Sequence, residues 1–352
     1  MSKKVGIILI NYKDYAEKYL SVCLESLKKQ TYNNWQLFIV DNGSSESSFA
    51  YLKREAPEAE IIVNRGNDGF AKGNNDALKI IIEKGFDYAW VLNMDTEVMA
   101  NSLSELVNTL EEHENVGAVQ SRLMLYKDNE IVNSLGNATH FLGFGYCLGY
   151  QEKYNQKPEK IANIFYPSGA SVLLNLNILN KVGLFDEEFW MYNEDQDLGW
   201  RIWLAGYKCV INYDSVVYHN YEFSRSITKY YWMDRNRTIA ILKNYAWPTL
   251  VLVFPAWLLM ESGLLLFSLQ NGWFKKRLAV IKYFFKAKTW HYIKKERREI
   301  QKNRKIKDKE ILKMVSGKIW YQEIADPKLK IINPFFNAYF SFIKLMANLF
   351  NF

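Results

Sequence analysis

The sequence is poor in the residues that build disulfide frameworks and metal clusters. Its 352 residues include three cysteines and four histidines. Cys23, Cys147 and Cys209 are scattered, odd in number and without metal-ligand spacing, which argues against a zinc ribbon and a disulfide-stapled secreted domain. A reducing compartment suits such a chain. The first apolar run, residues 5–10, ends too soon for a signal peptide and predicts a buried strand instead.

The excess of positive over negative charge is confined to one segment. The formal net charge is +7, yet residues 272–330 alone hold 19 Lys and Arg against 6 Asp and Glu. The rest of the chain is therefore mildly acidic. Basic segments attract nucleic acid or anionic lipid, and the apolar segments on either side of this one favour lipid. We expect a membrane surface among the partners, and no nucleic acid.

Apolar runs alternate with helical patterns over the first hundred residues. The runs predict strands over 5–10, 35–40, 60–64 and 88–92, with a helical repeat over 20–27 and a helix over 70–84. This alternation predicts an α/β fold in which helices flank a mostly parallel central sheet. Ligands bind beyond the carboxyl ends of such strands. Residues 120–168 show little periodicity and predict loops and hairpins that shape an acceptor site.

Two polar segments are candidates for binding a nucleotide. Asp41 follows a predicted strand, where its carboxylate could accept the N3–H of a uracil or thymine base; an Asx-turn or a helix N-cap would use the same residue. Asn67, Gly69 and Asn74 belong to a glycine-rich loop that opens a helix, a place where backbone N–H groups favour phosphate or sugar oxygens. A simple loop–helix junction would have the same sequence.

A second strand end predicts a metal site. Asn93 and Asp95 follow the fourth predicted strand, and a carboxylate there can bind Mg²⁺ or Mn²⁺ that bridges a diphosphate. His219 follows a later apolar-rich strand and is a candidate second ligand. A strand-terminating turn at Asp95 and a structural role for His219 are the alternatives.

Acidic residues at one helix start are the candidates for acid–base chemistry. Glu194 and Asp195 follow a run of aromatic residues that includes Trp190, a candidate substrate contact. At a helix N-terminus the dipole is expected to keep such carboxylates ionised, as a general base must be. Asp197 is expected to pair with Arg201, four residues on, at the helix surface.

The order of these pieces resembles the family 2 glycosyltransferases, in particular the bacterial rhamnosyltransferase-like branch. The resemblance covers residues 3–245 and includes several shorter matches, namely Ser168-Gly169-Ala170, Gly183-x-Phe185-Asp186-x-x-Phe189, Glu194-Asp195-x-Asp197-Leu198, Arg201, His219 and Arg235-Asn236. It implies a GT-A fold and an inverting transfer of a sugar, with rhamnose among the candidates. The metal would be Mg²⁺ or Mn²⁺, and the donor a dTDP- or UDP-sugar.

The resemblance also implies roles for single residues. Asp41 would read the base, Asp95 would bind the metal with His219 completing the site, and Arg235 could hold phosphate. Asp195 would be the general base, supported by Glu194. One departure is the tripeptide Asn93-Met94-Asp95, since this branch often has Pro at the middle position and the wider family has Asp at the first.

The chain changes character near residue 226, so we expect a GT-A catalytic domain over residues 1–225 and a helical region over 226–352. Residues 247–269 are apolar but contain two prolines and Glu261, which favours a helix lying in or dipping into the membrane over a clean span. A helix over 334–352 has a narrow polar stripe.

We expect the protein at the cytoplasmic face of a membrane, and the resemblance implies that it acts on a glycan or lipid-linked glycan in cell-envelope polysaccharide synthesis. Packing of the apolar helices on the catalytic domain, or into a homo-oligomer, is the alternative to membrane contact. The rival functions are a sugar-phosphate nucleotidyltransferase and a non-catalytic membrane scaffold. The first would need a basic glycine-rich loop after the first strand, which this sequence does not have.

Overall fold

The computed structural model of the chain describes residues 2–221, 230–319 and 327–352. The chain forms two compact units. The first contains residues 2–137, 147–202 and 207–221, and the second contains residues 138–146, 203–206, 230–319 and 327–352. The domain boundary expected after residue 225 lies outside the described residues.

The first unit is built on a twisted sheet whose amino-terminal half is parallel. Strands β1 (Val5–Lys13), β2 (Trp35–Ser44), β3 (Glu60–Asn64) and β4 (Tyr88–Leu92) lie in the order β4-β1-β2-β3. β1 pairs in parallel with both β2 and β4, and β2 with β3. The carboxyl ends of these strands therefore meet at one edge of the sheet.

The other half of the sheet is mixed. Its strands are β5 (Thr96–Val98), β6 (Val116–Leu125), β7 (Asp128–Ser134), β10 (Ile161–Asn163), β11 (Ser171–Asn175) and β12 (Lys208–His219). β11 runs antiparallel to both of its neighbours, β4 and β6, whereas β12 is parallel to β6. The sheet is thus less uniformly parallel than the sequence predicts, because β11 enters it from a return connection that carries no helix crossover.

Helices cover the sheet of the first unit. They are α1 (Ser21–Lys28), preceded by a π-turn (Ala16–Leu20), α2 (Glu46–Glu55), α3 (Gly69–Glu83), α4 (Ser102–Glu112), α5 (Leu176–Val182) and α6 (Glu194–Leu204), whose last residues fall in the second unit. β1 alternates between two cores: Val5, Ile7 and Leu9 face one cluster that also contains Trp90. α3 packs against β1 at Gly6, where an added Cβ would lie 2.6 Å from Ile81.

The second unit is helical. It contains α7 (Tyr230–Asn244), α8 (Trp247–Gln270), α9 (Phe274–Phe284), α10 (Ala287–Asn303), α11 (Asp308–Met314) and α12 (Pro327–Phe350), together with a ribbon of β8 (Asn137–Thr139) and β9 (Gly145–Cys147). Among the described residues, α8 is long and apolar enough to cross a membrane by length and composition. Pro255 lies inside α8 without ending it, and α12 begins seven residues before the predicted start, at Pro327.

Candidate active site

Asp41 lies on β2 beside Asn11 of β1, at the carboxyl edge of the parallel strands. Its side chain is buried, and Asn11 Nδ2 donates to its Oδ1 at 2.9 Å. Asn11 is itself fixed, since its Oδ1 accepts from the backbone N–H of Ala16 at 3.0 Å. One carboxylate oxygen of Asp41 is therefore held in place, and the other can accept an N–H from a ligand.

Asn42 organises the loop that faces Asp41, a role that the sequence did not reveal. Its Nδ2 donates to Asn67 Oδ1 at 3.3 Å and to the Gly69 carbonyl at 3.1 Å. Its Oδ1 accepts from the Asp68 N–H at 3.1 Å and from Asn64 Nδ2 at 3.2 Å. A single buried amide thus ties β2 and β3 to the start of α3, so that Asn67 and Gly69 are held next to the strand end that carries Asp41.

Gly69 is required by the close approach of Trp190. Its φ is +83°, and a Cβ at this position would lie 2.3 Å from the Trp190 carbonyl oxygen and 2.6 Å from its ring. The Trp190 carbonyl accepts the Ala71 N–H at 3.2 Å, and its ring Nε1 donates to the Asn67 carbonyl at 3.4 Å. Trp190 is therefore held against the predicted nucleotide loop, as a substrate-contacting aromatic residue would have to be.

The backbone is strained immediately before α6. Trp190 has φ 60° and ψ −57°, and the Met191 N–H donates to the Phe189 carbonyl at 2.6 Å, closing a γ-turn. Tyr192 and Asn193 also have positive φ, 69° and 64°. Such conformations cost on the order of 1–3 kcal/mol each and persist where the surrounding structure imposes them, which is common at functional sites.

Asp95, Asn93 and His219 come together at the carboxyl end of β4. His219 Nε2 lies 3.4 Å from Asp95 Oδ1 and 3.4 Å from Asn93 Nδ2. On the other side of the ring, His219 Nδ1 lies 2.9 Å from Asn133 Oδ1. Since an amide oxygen only accepts, Nδ1 carries the proton and the lone pair of neutral His219 is on Nε2, facing Asp95. Asn133, on β7, was not singled out by its sequence.

This arrangement fits a divalent cation. The carboxylate oxygen and the ring lone pair are two acceptors facing each other, which a cation between them would stabilise. Among the described residues, no three acidic, His or Cys side chains form a cluster. The protein would therefore supply two ligands, Asp95 and His219, and leave the others to phosphate oxygens and water, as is usual for Mg²⁺.

Glu194 and Asp195 share the start of α6 but differ in surroundings. Asp195 is half-buried; its Oδ1 accepts the Gln196 N–H at 2.7 Å and its Oδ2 accepts the Gly169 N–H at 3.3 Å. Burial raises the pKa of Asp195 to about 6, although these two N–H groups lower it. Glu194 is buried with no hydrogen-bond partner for its Oε2. Burial, and then the charge of Asp195, raises the pKa of Glu194 well above its ordinary value.

The expectation that the helix dipole favours the ionised form is not met at Glu194, where desolvation raises the pKa well above its ordinary value. Asp195, with a pKa of about 6, is still a carboxylate at neutral pH. Asp195 is therefore the better candidate for the base.

The segment Ser168–Ala170 links the candidate base to the metal site. Gly169 donates its N–H to Asp195, and the Ala170 carbonyl accepts the Asn93 N–H at 3.0 Å. Gly169 also lies under the Phe70 ring, where an added Cβ would lie 2.7 Å from a ring carbon. One backbone turn thus contacts the segment between β4 and Asp95, the helix that carries Asp195 and the start of α3.

Four predicted residues have settings that the sequence did not suggest. Asp197 and Arg201 do pair, at 2.8 Å, but inside the protein rather than at its surface, and Arg201 also donates to the carbonyls of residues 182–184. Asn74 is buried, and its Oδ1 has no hydrogen-bond partner among the described residues. Arg235 lies on α7 in the second unit, its guanidinium 4.5 Å from the centre of the Trp232 ring. The ligand-binding roles of Asn74 and Arg235 stay predictions.

A family model described as "Glycosyl transferase family 2" matches residues 6–182, which is half of the chain. The chain belongs to glycosyl transferase family 2. Within this family 2 chain, the matched residues include Asp41, Asn67, Asp95 and the Ser168–Ala170 segment, and they end before α6. The resemblance inferred from the sequence is thereby confirmed.

Individual relatives are distant. The chain is 22% identical over 205 residues to "Low-salt glycan biosynthesis hexosyltransferase Agl10" of Haloferax volcanii, covering 57% of this chain and 62% of that protein. It is 21% identical over 243 residues to "N-acetylglucosaminyl-diphospho-decaprenol L-rhamnosyltransferase" of Mycobacterium tuberculosis, covering 62% and 77%. The chain thus spans less than two thirds of the Haloferax protein.

The family 2 fold is also visible among solved structures. GalNAc-T7, crystallised with UDP, GalNAc and Mn²⁺, matches with a TM-score of 0.55 at 13% identity, over 68% of this chain and 48% of that one. At this identity the match establishes the fold alone. The GT-A fold expected from the sequence is confirmed, with a mixed sheet and a helical C-terminal region.

Proposed function

We propose that this chain transfers a sugar from a nucleotide-sugar donor to a hydroxyl group of a glycan or lipid-linked glycan, with inversion of configuration. The observation that carries the proposal is the Ser168–Ala170 turn, which is hydrogen-bonded both to Asp195 and to Asn93, two residues before the Asp95 carboxylate that faces His219. A base and a metal site fixed by one turn are what a single displacement at a phosphate-activated sugar requires.

The donor would bind along the carboxyl edge of the parallel strands. Asp41 would accept the N3–H of a uracil or thymine base, and the loop held by Asn42 would meet the ribose or the diphosphate through backbone N–H groups. Asp95 and His219 would hold Mg²⁺ or Mn²⁺, with Asn93 beside them. Bound there, the cation would neutralise charge that develops on the leaving diphosphate.

Asp195 would act on the acceptor. Its carboxylate would take the proton of the acceptor hydroxyl while that oxygen forms a bond to the anomeric carbon. The bond from the anomeric carbon to the diphosphate oxygen would break at the same time, and the nucleoside diphosphate would leave with its electron pair. Burial raises the pKa of Glu194 well above its ordinary value, which would limit the negative charge next to Asp195. No covalent enzyme intermediate is needed.

The classes of donor sugar and acceptor can also be proposed. The mycobacterial relative is named for transfer of rhamnose to a lipid diphosphate, whereas the Haloferax relative is named a hexosyltransferase. We therefore propose a dTDP- or UDP-activated hexose or deoxyhexose, rhamnose among them, and an acceptor in cell-envelope polysaccharide synthesis. The cytoplasmic face of a membrane is the proposed location, because the second unit contains the long apolar helix α8 and the basic segment.

The direct test is a panel of dTDP- and UDP-sugars incubated with the purified full-length chain and Mn²⁺, followed by release of the nucleoside diphosphate. We expect release from at least one donor, its loss in excess EDTA, and its loss in Asp95→Ala. Donor binding without any turnover would instead support a non-catalytic scaffold. Release that is unchanged by EDTA would contradict the metal site.

A further inference from the structure

Helix α8 has one face inside the second unit and one face outside it. The inner face contains small or apolar residues such as Val253, Ala256 and Met260, all buried. The outer face is a stripe of exposed residues at spacings of three and four. It is apolar apart from Ser262 and its neighbour Gly263. Its large side chains are Trp247, Val251, Phe254, Leu258, Leu266 and Leu269. On the surface of a soluble unit such a stripe is a binding face rather than a core face.

Helix α12 extends this face. Phe335, Phe342, Leu345 and Leu349 repeat at helical spacing and are between 45% and 67% exposed. The two helices are in contact, because Tyr339 Oη donates to the Leu252 carbonyl of α8 at 2.9 Å. On an α-helix, Tyr339 lies next to the exposed stripe, while the polar stripe of α12 lies on its far side. We call the exposed apolar stripes of α8 and α12 together the α8–α12 surface.

We propose that the α8–α12 surface inserts in the plane of an anionic bilayer, at the depth of the headgroups and upper acyl chains, and that α8 does not cross the membrane. The proposal rests on the membrane location proposed above and adds to it the binding face and the mode of contact.

A buried ion cluster prevents α8 from spanning. Glu261, fifteen residues into α8, contacts Arg237 of α7 and Arg277 of α9, and both arginines also contact Asp234. Burial would raise the pKa of Glu261, but the two arginines lower it below its ordinary value, so the carboxylate is charged. A spanning α8 would place Glu261 near the bilayer centre and draw α7 and α9 in with it. Lying in the plane keeps this cluster on the protein side.

The positive charge of the second unit favours an anionic bilayer over a second copy of the chain as the partner of the α8–α12 surface. The segment 272–330, which includes α9, α10 and α11, has 19 basic against 6 acidic residues. Two copies joined through this unit would bring like charges together, whereas an anionic membrane surface attracts each nearby Lys or Arg. Exposed Phe, Trp and Leu on one face of helices in a basic unit are typical of in-plane membrane binding.

The first test is flotation of the full-length chain with vesicles of phosphatidylcholine and with vesicles that also contain 30% phosphatidylglycerol, a fraction on the order of that in anionic membranes. We expect flotation with the anionic vesicles, and a loss of about tenfold or more in Leu258→Glu and in Phe342→Glu. Val22→Glu, at an exposed apolar position of α1 in the first unit, is the matched control and should float like wild type. Wild-type flotation by both surface variants would overturn the proposal, and so would a concentration-dependent dimer that these variants abolish without any vesicle binding.

The second test distinguishes an α8 that lies in the membrane plane from an α8 that spans the membrane. It places one cysteine near each end of α8, in a Cys147→Ser background. Lys275→Cys follows the end of α8. Lys302→Cys is near its start, because the neighbouring Gln301 donates to the Lys243 and Asn244 carbonyls, which precede α8. Both sites should react with a membrane-impermeant maleimide added outside sealed vesicles. Protection of one site until detergent is added would show that α8 spans. Asp95→Ala should float normally, so a failed membrane proposal and a failed catalytic proposal would be distinguishable.

Discussion

Two adjacent carboxyl groups, Glu194 and Asp195, are given different chemistry by their surroundings alone. Asp195 is half-buried and accepts two backbone N–H groups, which oppose the rise of its pKa. Glu194 is buried and its Oε2 has no hydrogen bond within the described part of the chain. Asp195 is therefore the candidate base, whereas burial opposes ionisation of Glu194, so substitutions at the two positions should have different effects.

Asp195→Asn should slow transfer by about 10²–10⁴-fold, the usual contribution of a general base, while the donor affinity changes little. Glu194→Gln, which keeps the size of a side chain whose ionisation burial opposes, should retain most of the rate. The comparison needs kcat from initial rates and the donor Kd from calorimetry for each variant. A dead Glu194→Gln beside an active Asp195→Asn would reverse the assignment.

The pH dependence of the rate follows from the same residue. The pKa of Asp195 is raised to about 6, so its basic form is lost as the pH falls through that value. We expect kcat/KM to be level above pH 7 and to fall about tenfold per pH unit below pH 6. A profile that stays level down to pH 4.5, where an ordinary aspartate would still be ionised, would contradict the raised pKa.

Asn133 is expected to act on the metal through His219. Its Oδ1 lies 2.9 Å from His219 Nδ1 and thereby keeps the lone pair on Nε2. Asn133→Leu should weaken Mn²⁺ binding by about 10–100-fold, the usual effect of losing such a partner. Mn²⁺ affinity can be measured by electron paramagnetic resonance without any substrate. Asn163→Leu, at an exposed position of β10, should leave it unchanged; equal affinities in the two variants would rule out this positioning role.

Among the structural elements, the loop between β3 and α3 depends on a close contact. Gly69→Ala would place a Cβ 2.3 Å from the Trp190 carbonyl at a φ of +83°. We expect a loss of about 1–3 kcal/mol in the free energy of unfolding and a weaker donor affinity, since both the loop and the aromatic segment must shift. Gly66→Ala, in the same loop with open space around it, is the control. Urea unfolding measures the free energy of unfolding of both variants, and calorimetry measures their donor affinity.

Elements whose bounds depend on neighbouring residues in the sequence could be predicted, whereas elements that depend on contacts with distant residues could not. β3 and β4 have the predicted bounds, since a strand covered on both faces reads as a continuous apolar run. β2 continues past its predicted end to Ser44 because Asp41 pairs with Asn11 across the sheet. Asn42 and Asn133 escaped prediction for the same reason: their partners are distant in sequence, and an isolated Asn between other polar residues has no distinguishing pattern.

α8 shows the limit of reading helix breakers from sequence. Pro255 and Glu261 suggest an interrupted segment, yet the helix is continuous over 24 residues. Glu261 is tolerated because Arg237 and Arg277 compensate its charge. Ion pairing between helices cannot be read from one segment, so the sequence predicted a membrane-active region without predicting its internal support.

The largest structural prediction concerns the buried ion cluster of the second unit. Glu261→Gln would leave Asp234 as the acidic partner of both buried guanidinium groups among the described residues, which should cost about 3 kcal/mol of stability. Glu299→Gln, at an exposed position of α10, should have little effect. Thermal unfolding of the two variants tests this, and equal midpoints would mean that the cluster does not stabilise the unit.

The proposed transfer is a single displacement assisted by a metal and by Asp195. Time-resolved proton NMR can identify the sugar anomer first released from the preferred nucleotide-sugar donor when water is the acceptor and Mn²⁺ is present. We expect the anomer opposite to that of the donor to form first, and we expect it not to form in Asp195→Asn. Initial release of the anomer with the donor's own configuration would rule out a single displacement.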